Sequence, residues 1–305
     1  MTSVIDGAKV VFFALSELLL LPHRRQRASS LSIMARRVRA KKALGQHFLH
    51  DESVAERIAE ILESRRDLPI LEVGPGMGVL TKYLLPLYRD TVVVELDHES
   101  VDYLRETFPE LEGHRLIGGD FLTLPLDQVF AKGEPFLLIG NYPYNISSQI
   151  FFHMLEHRDL IPMAGGMLQK EVARRLTSEP GSRDYGILTV LLRAWYDAEY
   201  LFTVPPGAFT PPPKVQSGVL RLTRNDRTSL GVDEGRFRQV VKAAFAQRRK
   251  MIRSSLRGLL PEPIPPELEH YLTMRPEQLD VEDFVALTRA VDRTMTCPND
   301  DEKLR

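Results

Sequence analysis

The stretch Ile70-Leu71-Glu72-Val73-Gly74-Pro75-Gly76-Met77-Gly78 decides the fold class of this 305-residue chain. A short apolar strand, Ile70 to Val73, runs into a glycine-rich turn, and a helical pattern over Val79 to Leu87 follows. Glycine lets the backbone approach a ligand closely, and the first N–H groups of a helix have no intrahelical partner. The pattern is typical of a dinucleotide site, of a nucleoside site, or of a tight turn that binds nothing.

Strand and helix patterns alternate on both sides of this turn. Asp51 is a predicted N-cap for a helix that begins the series. The next predicted elements are a strand over 91–94, a helix over 99–108, a strand ending before Asp120, and a strand over 136–139. A strand to Gln169, helices over 170–176 and 187–195, and a strand over 215–222 follow. This alternation predicts an α/β fold with a doubly wound, Rossmann-like parallel sheet.

The remaining segments predict the domain organisation. Thr223 to Asp233 is polar and is typical of a linker, and Phe237 to Leu256 and Pro265 to Val291 have helical patterns. We therefore expect an α/β domain over 35–224, a small all-helical domain over 225–296 and a tail over 297–305. Residues 1–34 are expected to be a disordered or over-called extension, with the working protein starting near Met34. A targeting role is the alternative, although the apolar run Val10 to Leu21 is too short to span a bilayer.

Composition excludes several classes of site. The net charge is −1, so a nucleic-acid partner would have to bind a local cluster of basic residues. The single cysteine, Cys297, excludes an intramolecular disulfide framework and favours a reducing, cytoplasmic location. The eight histidines show no ligand spacing, so we expect no metal.

Two acidic residues stand where predicted strands end. Glu95 follows the second strand, and a carboxylate there is placed to accept hydrogen bonds from a ribose diol. Asp120 follows the third strand and is placed near the adenine end of the same ligand. Either residue alone is compatible with an ordinary surface position. Their shared location at the carboxyl edge of one sheet favours a nucleoside site.

The fourth strand ends on Asn141-Tyr142-Pro143-Tyr144, which suits chemistry at an adenine amine. The exocyclic N6 is a poor nucleophile because its lone pair is delocalised into the ring. The Asn141 amide oxygen and the carbonyl beside Pro143 are suited to accept both N6 hydrogens, which would free the lone pair for attack on a methyl sulfonium. Tyr144 is suited to stack on an extruded base. The alternative is a structural turn with a packed tyrosine.

Seven motifs in this order resemble the small-subunit ribosomal RNA adenine N6,N6-dimethyltransferases, the bacterial family linked to kasugamycin sensitivity. The resemblance extends from residue 41 to about residue 257. The motifs are Lys42 to Leu49, Glu72 to Gly78, Val94 to Asp97, Asn141 to Ser147, Met167 to Val172, Ala208 to Val215 and Ala244 to Lys250.

The resemblance implies S-adenosylmethionine as cofactor and two adjacent adenosines in the 3'-terminal hairpin of 16S RNA as substrate. It implies a role in small-subunit biogenesis, with the immature 30S subunit as partner and a monomeric enzyme. The implied cofactor contacts are His47, Leu49, Gly74, Glu95, Asp120 and Asn141, and the implied adenine site is Asn141, Pro143 and Tyr144. His47 departs from the family's usual asparagine, and Tyr142 departs from its usual leucine, where we expect an effect on packing.

A basic segment supports an RNA partner independently of the resemblance. Arg236 to Arg257 contains no Asp or Glu, and on a helix its cations would form one face for phosphates. The RNA-binding residues predicted from it are Arg248, Arg249, Lys250 and Arg253, while Arg238 and Lys242 belong to the same predicted face. A second cluster, Arg36, Arg37, Arg39, Lys41 and Lys42, either grips RNA or belongs to a flexible tail.

Rival functions remain open at this point. A large-subunit RNA adenine methyltransferase of the macrolide-resistance type would share the glycine turn and the Asn-x-Pro-Tyr motif. The Gln247-Arg248-Arg249-Lys250 and Phe209 to Lys214 segments favour the small-subunit branch. A DNA adenine methyltransferase is disfavoured because no separate base-reading domain is evident. From a different class, the protein would act mainly by binding, as a ribosome-assembly factor.

Overall fold

The computed structural model describes residues 38, 40, 41 and 44–296. The predicted extension over 1–34, the basic residues Arg36, Arg37, Arg39 and Lys42, and the predicted tail with Cys297 lie outside the described residues.

Strands and helices alternate through most of the described chain. The strands are β1 (Phe48–Leu49), β2 (Ile70–Val73), β3 (Thr91–Glu95), β4 (Leu116–Gly118), β5 (Leu137–Asn141), β6 (Met163–Gln169), β7 (Tyr196–Val204), β8 (Phe209–Thr210) and β9 (Ser217–Arg224). The helices are α1 (Glu52–Ala59), α2 (Thr81–Leu87), α3 (His98–Thr107), α4 (Ser147–Glu156), α5 (Lys170–Leu176), α6 (Ile187–Arg193), α7 (Glu234–Ala246), α8 (Ile252–Ser255), α9 (Glu269–Leu272) and α10 (Val281–Thr296). The predicted N-cap at Asp51 is confirmed, because its side chain accepts from the backbone N–H groups of Ser53 and Val54.

The central sheet has the strand order β4-β3-β2-β5-β6-β9-β7. The first five strands in this order are parallel, so the predicted doubly wound, Rossmann-like sheet is confirmed over them. The chain moves outward from β2 to β4 and then returns to β5 on the other side of β2. At such a switch point the loops after adjacent strands leave in opposite directions and open a crevice, which is where open α/β sheets bind ligands.

Two strands at one side of the sheet depart from the prediction. β9 runs antiparallel to β6, and β7 runs antiparallel to β9. The sequence pattern predicted no strand over Tyr196–Val204, and it assigned Thr223 and Arg224 to a linker. Both residues belong to β9 because Thr223 pairs with Met163 of β6 and Arg224 pairs with Tyr196 of β7.

Alternating side chains of the parallel strands supply the core on both faces of the sheet. Ile70 and Leu137 face the side covered by α1 and α2, whereas Leu71 and Leu138 face the opposite side. Strands buried on both faces are apolar at nearly every position, which accounts for the apolar side chains at three of the four positions of β2. This burial fixes the register of the strands, and with it the positions of the loops at their carboxyl ends.

The C-terminal helices extend the core on the second face. Phe237 of α7 and Phe284 of α10 are buried in the same apolar cluster as Leu71. The predicted single helix over 237–256 is wrong, because α7 ends at Ala246 and a turn follows before α8. The turn brings Ile252 into the core, where the side chain is fully buried and the backbone N–H donates to the Met274 carbonyl at 2.9 Å.

No helix of the described residues is both long and apolar enough to cross a bilayer.

Candidate active site

A deep cleft opens at the carboxyl edge of the sheet, at the switch point between β2 and β5. The space between its walls is about 1110 Å³, a volume that includes open solvent at the mouth of the cleft. The structure brings together in its wall every residue predicted for the cofactor and for the adenine, namely His47, Leu49, Gly74, Glu95, Asp120, Asn141, Pro143 and Tyr144. These residues come from five separate segments of the chain.

The glycine turn after β2 forms the floor of the cleft. Gly74 has φ +68° and Gly76 has φ +57°, a left-handed conformation that side chains other than glycine rarely adopt. A Cβ at Gly76 would lie 3.0 Å from the ring of Phe48, whereas a Cβ at Gly74 would meet only Pro143, in ordinary van der Waals contact at 3.8 Å. Gly76 is therefore required by packing, and Gly74 leaves a space on the floor that a side chain would fill.

Glu95 is buried beside this turn and is held in place by backbone groups. One carboxylate oxygen accepts from the Gly76 N–H at 3.0 Å, and the other accepts from the Asp97 N–H at 2.9 Å. Burial raises the pKa of Glu95, and the two backbone hydrogen bonds oppose that shift. Each oxygen retains a further lone pair, so the carboxylate has capacity to accept two hydroxyl groups from a ligand.

Asp120 lines the cleft two residues after the end of β4. Its Oδ1 accepts from the Leu122 N–H at 2.9 Å, which caps the short 3₁₀ turn Phe121–Thr123. The cap fixes the orientation of the carboxyl group and leaves acceptor capacity for an amine of the ligand.

Asn141 is the last residue of β5, and its amide has a defined orientation. Nδ2 donates to the main-chain carbonyl of His47 at 3.3 Å. Because a carbonyl accepts and cannot donate, the nitrogen of the amide points to His47, and Oδ1 is the atom left to accept a hydrogen bond in the cleft. The arrangement therefore supplies an acceptor next to Pro143 and Tyr144.

The loop after Asn141 contains two tyrosines with different surroundings. Tyr142 is buried, and its hydroxyl donates to the Gly165 carbonyl at 2.7 Å, so the expected packing role holds. Tyr144 lines the cleft, with its hydroxyl 2.6 Å from Ser217 Oγ and its ring centroid 5.6 Å from that of His47. Burial raises the pKa of Tyr144, so its hydroxyl is neutral at physiological pH.

One wall of the cleft is a strap, which we define as Lys41 together with residues 44–50. Its strand β1 pairs with β8, and the His47 ring nitrogen Nδ1 lies 2.8 Å from the Pro211 carbonyl. At its other end, Lys41 Nζ lies 2.5 Å from Asp97 Oδ1, and Gln46 Nε2 donates to Asp97 Oδ2 at 3.4 Å. The strap is thus attached to the sheet by Asp97 and to the β8 loop by main-chain contacts.

Three residues of this site were not predicted from the sequence. Asp97 anchors the strap, and burial alone would raise its pKa, but the hydrogen bonds from Lys41 and Gln46 outweigh burial and lower it. Ser217 holds Tyr144. Glu72 lines the cleft from within β2, where burial raises its pKa to about 8 and Thr81 Oγ1 donates to it at 2.6 Å. Of these three residues, only Glu72 could have been identified from the local sequence, because it is an ionisable residue inside an apolar strand.

The predicted RNA-binding residues lie outside the cleft. Arg248, Arg249 and Lys250 occupy the turn after α7, and Arg253 lies on α8, so the predicted single helical face is wrong. The Arg248 guanidinium donates to the Arg183 carbonyl, whereas Arg249 and Lys250 are exposed. Earlier on α7, Arg238 lies 4.0 Å from Glu156, an acid that α4 contributes to the same surface.

Within the described residues, no cluster of three or more His, Cys, Asp or Glu side chains is arranged to hold a metal ion.

The strand order, the cleft at the switch point and the glycine turn define a Rossmann-like methyltransferase. Within that class, the chain belongs to the ribosomal RNA adenine dimethylase family, whose sequence model matches residues 37–290.

Individual relatives agree with this assignment. The chain is 60% identical over 252 residues to ribosomal RNA small subunit methyltransferase A of Porphyromonas gingivalis, covering 83% of this chain and 97% of the relative. It is 55% identical over 258 residues to the protein of the same name in Bacteroides thetaiotaomicron, covering 85% and 96%.

Two solved structures have the same fold. A dimethyladenosine transferase from Plasmodium falciparum superimposes with a TM-score of 0.69 at 25% identity, over 82% of this chain and 98% of that one. The 23S rRNA methyltransferase ErmE superimposes with a TM-score of 0.63 at 30% identity, over 80% and 99%.

Proposed function

We propose that this protein transfers methyl groups from S-adenosylmethionine to N6 of two adjacent adenosines in the 3'-terminal hairpin of 16S ribosomal RNA. Its partner is the immature 30S subunit, to which it binds as a monomer during subunit biogenesis. The observation that carries the proposal is the orientation of Asn141, whose oxygen is left as an acceptor in the cleft beside Pro143 and Tyr144.

The residues of the cleft fit the proposed cofactor. Glu95 has acceptor capacity for a ribose diol, Asp120 has capacity for the adenine amine, and the missing side chain at Gly74 leaves room for the amino-acid end. His47 and Leu49 of the strap and Asn141 of β5 complete the wall. When bound, S-adenosylmethionine supplies an electrophilic methyl group on a sulfonium centre.

The side chains around Asn141 prepare the nucleophile. Oδ1 of Asn141 and the main-chain carbonyl of Tyr142 accept the two N6 hydrogens, which localises the nitrogen lone pair and aims it at the methyl group. Tyr144 stacks on the base and holds its plane, and Pro143 limits the movement of the loop. Each transfer would form an N–C bond, release S-adenosylhomocysteine and lose one N6 proton to solvent. The one N6 hydrogen that remains after the first transfer would be accepted by one of the same two oxygens during the second.

Two parts of the chain divide the work in this proposal. The region 35–224 contains every residue of the cleft and carries out methyl transfer, and the region 225–296 binds RNA phosphates through Arg249, Lys250 and Arg253. Arg248 supports the turn that carries the first two of these cations. The 60% identity to small-subunit enzymes, against 30% to the 23S enzyme, supports the small subunit as substrate.

The test is methyl transfer from labelled S-adenosylmethionine to unmethylated 30S subunits, with 50S subunits and duplex DNA as alternative substrates. We expect N6,N6-dimethyladenosine in 16S RNA, and its loss in Asn141→Ala but not in Asn225→Ala, which removes a remote asparagine that donates to the Arg193 carbonyl. Label on 23S RNA would instead support the macrolide-resistance activity. Binding to 30S subunits without label on any substrate would favour an assembly factor.

A further inference from the structure

Ser217 is a buried hydroxyl at the carboxyl edge of the sheet and the first residue of β9. Its side chain has no exposed surface, and its backbone pairs with Gln169 of β6 on one side and Val204 of β7 on the other. A residue that is paired on both sides cannot shift without disturbing two neighbouring strands. Ser217 is therefore a rigid point next to the cleft.

Tyr144, by contrast, lies on the connection between β5 and α4, where the backbone has no strand partner. Its hydroxyl is 2.6 Å from Ser217 Oγ, across 73 positions of sequence. This hydrogen bond ties the tip of the ring to the sheet, while the His47 ring lies 5.6 Å from the Tyr144 ring, with 32° between their planes. Both contacts restrict rotation of the Tyr144 side chain, and only the contact with Ser217 comes from a strand of the central sheet.

We propose that Ser217 is a positioning residue for methyl transfer, which holds the tip of the Tyr144 ring at the position required for the ring to stack on the target adenine. The inference rests on the proposed function, because it concerns how the same site orients its substrate. A ring that is free to swing about the Cα–Cβ bond would still contact the base but would hold the N6 amine in line with the methyl group for a smaller fraction of the time.

The positioning role predicts a specific kinetic signature. Phosphate contacts dominate the affinity for RNA, so loss of the Ser217–Tyr144 hydrogen bond should leave KM for RNA and KM for S-adenosylmethionine nearly unchanged. The turnover number should fall by about five- to tenfold, which corresponds to one hydrogen bond of ordinary net strength. A general loss of folded protein would instead reduce the amount of active enzyme and leave the turnover number per folded molecule unchanged.

The experiment is a double-mutant cycle with Tyr144→Phe, Ser217→Ala and the double variant, assayed on 30S subunits with titration of active sites. We expect each single variant to lose about five- to tenfold in kcat, and the double variant to lose no more than the worse single variant. The control is Tyr196→Phe, which removes a buried hydroxyl that donates to the Ile161 carbonyl at 2.8 Å, at the far end of the same pair of strands. This control should be less stable than the wild type and have the same kcat.

The outcomes separate the inference from the proposed function. Wild-type kcat in Ser217→Ala, or losses that multiply in the double variant, overturns the positioning role while the proposed function stands. Absence of methyl transfer by the wild-type protein overturns both. If Ser217→Ala fails to fold, the comparison of Tyr144→Phe with Tyr196→Phe still tests the positioning role. Equal kcat values in these two variants would contradict it.

Discussion

The side chain of Asn141 and the main chain of His47, 94 positions apart in sequence, are joined by a hydrogen bond from Nδ2 to the carbonyl oxygen. One end of this bond belongs to β5 and the other to the strap. The residue proposed to activate the adenine amine therefore also holds the wall of the cofactor cleft. This double role means that substitutions at Asn141 should affect cofactor binding and chemistry to different extents.

Asn141→Asp separates the two roles. The carboxylate keeps acceptor oxygens but cannot donate to His47, and its charge repels the carbonyl. We expect KM for S-adenosylmethionine to rise about tenfold, because the hydrogen bond to the His47 carbonyl is lost and a carboxylate is placed beside that carbonyl, at a combined cost of ~1.5 kcal/mol. Asn141→Ala loses both the donor and the acceptor, so it should raise this KM by a similar factor and in addition reduce kcat by about 100-fold or more, as for removal of one group that stabilises a transition state. Steady-state kinetics of both variants checks this, and equal kinetic defects in the two would contradict it.

Asp97 anchors the strap, so its removal should loosen that wall of the cleft. Asp97 also caps α3, so Asp97→Ala loses an N-cap in addition to the contacts with Lys41 and Gln46. Asp233→Ala is the matched control, because Asp233 caps α7 and lies outside the cleft. Both variants should lose at least ~1 kcal/mol of unfolding free energy in a denaturant titration.

Only the Asp97 variant should affect the cofactor. We expect Asp97→Ala to raise KM for S-adenosylmethionine about tenfold and to make the N-terminal segment more sensitive to limited proteolysis, while Asp233→Ala matches the wild type in both assays. An unchanged KM in Asp97→Ala would mean that β1 and β8 alone hold the strap closed.

The buried carboxyl of Glu72 predicts a pH dependence of stability. Burial raises its pKa from about 4.5 to about 8 in the folded protein, so the folded state keeps a proton that the unfolded chain releases between these values. The folded state binds more protons in this window, and the unfolding free energy therefore falls as pH rises from about 4.5 to about 8. Each unit of difference between the pKa of Glu72 in the folded and unfolded states changes the unfolding free energy by ~1.4 kcal/mol at most.

Glu72→Gln removes this titration. We expect its Tm to exceed that of the wild type at pH 8 and the difference to shrink towards pH 5, measured by calorimetry without cofactor. Glu60→Gln, which removes an exposed carboxylate on the surface near α1, controls for the change of net charge. A difference between wild type and Glu72→Gln that stays constant with pH would refute the assignment.

The basic turn after α7 predicts a salt dependence of RNA binding. Each lysine or arginine contact with a phosphate contributes ~0.7–0.9 to the slope of log affinity against log salt concentration. Arg249→Ala/Lys250→Ala should therefore reduce the magnitude of that slope by about 1.5 in filter binding to 16S RNA. The control is Arg65→Ala/Arg66→Ala, which removes two adjacent cations just before β2, at the opposite edge of the sheet from the cleft. Equal slopes for the two double variants would exclude the turn from the RNA interface.

The local sequence pattern predicted the buried central strand β2 but not the edge strand β7. Ile70–Val73 is apolar at three of four positions and ends at a glycine turn, so its strand and the adjacent site followed directly from the sequence. By contrast, Tyr196–Val204 carries Asp197 and Glu199 and lies at the edge of the sheet, where one side of the strand faces solvent and polar residues are tolerated. Pairing with β9 makes this segment a strand, and pairing is invisible in a local pattern.

In the site, too, residues that follow a strand were predicted, and residues that depend on partners far away in sequence were missed. Glu95 and Asp120 were predicted because each follows a strand of one parallel sheet. Asp97 and Ser217 were missed because their partners, Lys41 and Tyr144, lie 56 and 73 positions away. The helix break at Ala246 was missed for a related reason, since the burial of Ile252 beside Met274 is a long-range contact.

The pairing of β1 with β8 also sets the order in which this protein matures during synthesis. Phe48 pairs with Thr210 and Leu49 with Phe209, and the His50 N–H donates to the Ala208 carbonyl. A ribosome that has translated the glycine turn, Glu95, Asp120 and Asn141 has therefore made the floor of the cleft but cannot yet form the wall. The nascent chain gains a closed cleft only after residues 208–210 have left the exit tunnel, so truncated chains that stop before them carry the proposed catalytic residues without the wall that completes their site.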